Sequence, residues 1–132
     1  GQTIVAYPHI AMSFDVLLPA FREDNRRAIK AYATVDMIKD TAIRADMLPE
    51  LIKVELDERS ILPSKISSDE AIEAGKEKVI HWVKRRFNLI VTPEVELIEI
   101  TPVFYHPFIL SKDKKDRPIM FNVVRNTVEK WE

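Results

Sequence analysis

Only two glycines occur in the 132 residues, Gly1 and Gly75, and this scarcity constrains the chain more than any motif it carries. Phosphate-binding loops of the dinucleotide and Walker types need backbone without Cβ, so neither can be built here. The glycine-flanked serine elbow of hydrolases is excluded on the same ground. Tight turns must instead be closed by Asn or Asp, which tolerate the left-handed region. The chain also lacks cysteine, which removes disulfides, thiolate metal sites and cysteine nucleophiles. No catalytic signature is left and no cofactor is implied, so the reading leans away from an enzyme.

At 46% hydrophobic and 31% charged, the composition is that of one soluble globular domain across 1–132. Twenty basic residues stand against 21 acidic, a net charge of −1 that gives no general pull toward nucleic acid or anionic lipid. No apolar run approaches the roughly 20 residues that cross a bilayer, so no membrane-spanning segment is expected. The chain opens Gly1-Gln2 without methionine, the expectation for a processed or excised segment. The compartment is left open.

The clearest element is a helix from about Ser67 to Phe87. Ser67-Ser-Asp-Glu70 is a capping box, Asp69 and Glu70 suit the positive end of the dipole, and Lys84, Arg85 and Arg86 suit the negative end. Ile72, Val79, Ile80, Val83 and Phe87 form its apolar stripe, and Asn88 can take the left-handed cap. Residues 3–21 are apolar β formers, read as one or two strands interrupted at Pro8 and Pro19. Further strands are expected over 52–57, 94–101, 103–110 and 118–125, with a bulge at Leu97-Ile98 where alternation breaks. Residues 28–45 fit two templates. Ile29, Ala31, Ala33, Val35 and Met37 alternate as a strand, while Ala28, Ala31, Val35, Ile38, Ala42 and Ala45 recur at helical spacing.

An internal echo tips that stretch toward strand. Val35-Asp-Met-Ile-Lys-Asp-Thr-Ala42 lies over Phe121-Asn-Val-Val-Arg-Asn-Thr-Val128, each after a charged connector that follows an apolar strand. The echo divides the single domain into two degenerate hairpin repeats, 3–57 and 66–132, with chance similarity over eight residues as the competing account. Asp40-Thr41 and Asn126-Thr127 would then close the second strand of each copy where glycine ordinarily sits. The segment Ile66-Ser-Ser-Asp-Glu-Ala-Ile-Glu-Ala-Gly-Lys-Glu-Lys-Val79, with the paired strands after it, resembles the PepSY domain family. That resemblance implies a cystatin-like helix on an antiparallel sheet and a non-enzymatic domain, often outside the cytoplasm and sometimes tied to peptidase regulation. The family's terminal glycine is Asp40 or Asn126 here, and the loop lengths differ.

Several constellations carry potential chemistry. Glu73, Glu77 and His81 share a helix face at metal-ligand spacing, but that face lies opposite Val79 and Val83, so a solvated surface is the plainer account. His9 and His106 could form a cross-sheet proton-transfer pair; half-buried histidines bonded within the sheet are the alternative. Glu94, Glu96 and Glu99, with Asp36 and Asp40, are the carboxylates available for hydrolysis, though alternating glutamates on an open face are ordinary. Arg22, Arg26, Arg27, Lys112, Lys114, Lys115 and Arg117 would form one cationic patch, with Lys84, Arg85 and Arg86, if the two hairpin tips point the same way. Phe104, Tyr105, Phe108, Phe121 and Trp131 are read as core, with Trp131 as a contact to another subunit if exposed.

The resulting expectation is an α+β fold. An antiparallel sheet of five to seven strands carries one long amphipathic helix on one face. The expected role is non-catalytic: a binding or regulatory module, or a piece of a larger assembly. It would engage a protein or peptide through a sheet edge or the helix–sheet cleft. The alternative is a nucleic-acid or anion-binding accessory domain built on Arg26, Arg27, Lys112, Lys114, Lys115 and Arg117 at the hairpin tips.

Overall fold

A computed structural model describes residues 3–19, 27–53, 55–112, 114–115, 118–122 and 127–130, the last two stretches by backbone alone. The fold is α+β. Its elements are β1 (Thr3–Leu18), β2 (Arg27–Asp36), β3 (Thr41–Ala45), α1 (Ser68–Arg86), β4 (Glu94–Ile100), β5 (Phe104–Lys112), β6 (Pro118–Asn122) and β7 (Thr127–Lys130). A short 3-10 turn, Glu58–Ser60, lies in the connection before α1. All seven strands join one sheet in the order β3-β2-β1-β5-β6-β7, with β4 also on β1. Every strand pairing is antiparallel.

The 16-residue β1 organises the sheet. One edge of it is shared by two strands in succession: Thr3–His9 pairs β5, and Met12–Leu17 pairs β4. Thr101 bridges the gap between them. Its amide donates to the Ala11 carbonyl at 2.8 Å and its hydroxyl accepts from the Ala11 amide at 3.0 Å. β1 is not interrupted at Pro8. A strand residue's N–H and C=O point to the same edge, and the Pro8 carbonyl accepts from the Met37 amide at 2.9 Å, just past the end of β2. The proline therefore lacks its donor where the β2 ladder has already stopped.

Residues 28–45 form the β2–β3 hairpin, not a helix. Asp40 closes its turn at φ 53°, the left-handed region expected of a glycine substitute. β2 ends at Asp36 and β3 opens at Thr41; β6 ends at Asn122 and β7 opens at Thr127, the same spacing in the two halves. Asn126 itself, like Arg26, Arg117 and Trp131, lies outside the described residues. The bulge falls where alternation fails: Ser13 pairs Glu99 and Phe14 pairs Leu97, leaving Ile98 as the extra residue.

The expected strand over 52–57 is absent among its described residues. Ile52 is 81% exposed and the nearest pairing is a single Ala6–Ile61 bridge. Among the described residues its alternation is matched by no ladder.

Helix α1 has its full capping box. The Glu70 amide donates to the Ser67 hydroxyl at 3.1 Å, and Glu70 accepts from the Ser67 amide at 3.2 Å. Asn88 takes the left-handed cap at φ 53°. The buried stripe is Ala71, Gly75, Val79 and Val83, while Ile72, Ile80 and Phe87 are only half-buried. Small residues at every fourth position let the helix lie close on the sheet. A Cβ at Gly75 would sit 2.5 Å from Met12 Sδ. The core between helix and sheet holds Met12, Phe14 and Val16 from β1 and Ala31, Ala33 and Val35 from β2. No helix among the described residues is long and apolar enough to cross a membrane.

Candidate functional site

The helix packs over β1, β2 and β3 and leaves β4 at the rim. Register then divides the β4 side chains between two faces. Ile100, Leu97 and Val95 pair Met12, Phe14 and Val16, so they share the helix side. Glu99, Glu96 and Glu94 pair Ser13, Asp15 and Leu17, so they share the opposite, open side. Without the helix above them, Leu97, Ile98 and Ile100 are about two-fifths exposed, at 38%, 42% and 41%. No described strand pairs the outer edge of β4. An edge of this kind presents unpaired backbone groups between an aliphatic row and an acidic row.

A second cluster lies on the open side, where β1, β2 and β5 meet. His9 Nδ1 donates to the Tyr7 carbonyl at 2.8 Å, and its Nε2 lies 3.8 Å from Asp36 Oδ2. The Asp36 Oδ1 accepts the Ile38 and Lys39 amides at 2.9 and 3.0 Å, which fixes the carboxylate. Phe104, His9, His106 and Phe108 form a row of rings with successive centroids 5.8, 5.5 and 4.9 Å apart. Burial holds the His9 pKa below the ordinary histidine value. The Tyr7 carbonyl and the Asp36 charge pull it up, and His106 and Lys39 push it down further. Burial and then the Asp36 charge raise the Tyr7 pKa. His9 is thus a half-buried histidine bonded to its own sheet. The cross-sheet neighbour His106 approaches it ring to ring.

A third feature is the cleft between α1 and β3. It is lined by Arg44, Lys78, His81, Trp82, Arg85 and Arg86. The Arg44 guanidinium lies 4.4 Å from the Trp82 ring centroid and also bonds Asp46 at 3.1 Å.

Of the cations singled out in the sequence, Arg22, Arg26 and Arg117 lie outside the described residues, and the described Arg27 and Lys112 lie far apart. Leu18 pairs Arg27 at one end of β1, and Thr3 pairs Leu110, beside Lys112, at the other. Fifteen residue steps of strand separate these ends, about 50 Å at roughly 3.3 Å per residue. Lys114 and Lys115 are exposed in the turn beyond Lys112. Arg27 instead joins Arg86 over the Phe87 ring, at 5.7 and 5.6 Å. Glu73, Glu77 and His81 are exposed. Among the described residues, no group of three or more histidines and carboxylates is placed to hold a metal ion. Sequence reading missed Arg44 and Trp82 altogether, because the pairing that joins them is a helix–strand contact with no local period.

Comparison with family models, with curated proteins and with solved structures returns no match.

Proposed function

We propose that this protein is a non-catalytic binding module that captures an extended polypeptide segment by strand addition to the outer edge of β4. The carrying observation is the two-faced rim. The outer edge of β4, which no described strand pairs, runs between exposed Leu97 and Ile100 on one side and Glu96 and Glu99 on the other. Main-chain bonds would supply affinity, and the two rows would select a segment with apolar residues on one face and Lys or Arg on the other. A helix on an antiparallel sheet is the arrangement that the PepSY-like resemblance implies. The matched strand boundaries support reading β1–β3 and β5–β7 as a degenerate repeat. Asp36 pairs His9 and Asn122 pairs Phe108, two residues to either side of the directly paired Tyr7 and His106.

A labelled peptide alternating Val and Lys tests the module. It should bind, bind more weakly to Glu96→Lys/Glu99→Lys, and lose binding when alternate peptide amides are N-methylated. Equal binding by the N-methylated peptide, or none by the parent, would exclude strand addition.

A further inference from the structure

We infer that the α1–β3 cleft is a second binding site, separate from the β4 rim, and that its ligand is a single-stranded nucleic acid. Lys78, His81, Trp82 and Arg85 recur at three- and four-residue spacing and so line one flank of α1. Arg86 extends the set at the C-terminal end of the helix, and Arg44 enters from β3. Lys78 to Arg86 covers about 12 Å of helix at roughly 1.5 Å per residue. Asp46 is already bonded to Arg44, and Glu77 is exposed one turn before His81 on the helix. Among the described residues no carboxylate pairs with Lys78, Arg85 or Arg86.

The planar groups decide the ligand class. An acidic polypeptide needs cations alone. A phosphate backbone with unstacked bases needs cations beside flat surfaces, and the cleft supplies an indole with a guanidinium plane against it. A lipid surface would call for apolar side chains within the cation row, and the lining contains none besides the half-buried Trp82. The protein's net charge of −1 argues for a local grip rather than general attraction.

Anisotropy of a labelled oligothymidylate against the whole chain tests the inference. If three cations meet phosphates, affinity should fall about 20-fold between about 50 and 200 mM salt. Lys78→Glu/Arg85→Glu should weaken binding by at least about tenfold and flatten that salt slope, while leaving the Val/Lys peptide on β4 unaffected. In a Trp131→Phe background the remaining tryptophan, Trp82, should be quenched by the oligonucleotide, a readout independent of the charge reversals. Absence of binding, an unchanged affinity in the reversed variant, or an unquenched Trp82 would overturn the site. So would preferential binding of poly-glutamate, or of phosphatidylserine vesicles, over the oligonucleotide.

Discussion

Phe14 and Leu97 face each other across one register pair and point to the same side of the sheet, yet Phe14 is 1% exposed and Leu97 is 38% exposed. The difference lies in the position of α1, which covers β1, β2 and β3 and stops short of β4. Both strands alternate apolar residues with polar or small ones, so alternation alone does not distinguish a core strand from a rim strand. A strand's pattern states which side is apolar; the helix decides whether that side is core or surface. The covered region therefore carries stability, and the recognition proposed above falls on the rim.

The largest expected effect breaks this contrast directly. Phe14→Ala should cost about 3–5 kcal/mol, as lost burial plus a cavity, whereas Leu97→Ala should cost about 1 kcal/mol. Urea denaturation of the two variants measures both, and equal costs would mean that β4 is as covered as β1. Next in size is the helix contact itself. Gly75→Val places a branched side chain where Met12 Sδ already sits, so a loss of about 1–3 kcal/mol is expected, part of it recovered by trimming Met12 to Ala. A variant as stable as the parent would place the helix farther from the sheet than Gly75 implies. Ser67→Ala removes the hydroxyl that accepts the Glu70 amide, and should lower stability by about 1 kcal/mol in the same assay.

The smallest effect is a pH slope at the open-side cluster. The folded His9 pKa lies below its unfolded value, so the unfolded chain takes up the proton first as pH falls. Its contribution is fully present above the ordinary histidine pKa of about 6.5 and declines as pH drops through it. The decline levels off once folded His9 is protonated too. Thermal melts between about pH 7 and 5 should show less of this slope in His9→Gln. A stability that rises on acidification would show the Asp36 ion pair outweighing burial.

Much of the fold was legible where the chemistry is local. The capping box at Ser67–Glu70, the left-handed Asn88, the bulge at Ile98 and the turn at Asp40 each depend on a few neighbouring residues. The strand over 52–57 was misread because alternation states a preference and not a partner. The break at Pro8 was misread because a missing amide matters only where a carbonyl would face it.

The sequence by itself determined that a capped helix and antiparallel strands must form without glycine turns or cysteine chemistry. It also determined that the lysines and arginines are numerous enough to make a local patch. Tertiary structure alone decided that Arg27 and Lys112 lie toward opposite ends of β1, and that Arg44 comes to rest on Trp82. It alone decided that β4, of all the strands around β1, is left at the rim. These outcomes depend on register and on the one face a single helix can cover. Such contacts join residues dozens of positions apart, and no local period records them.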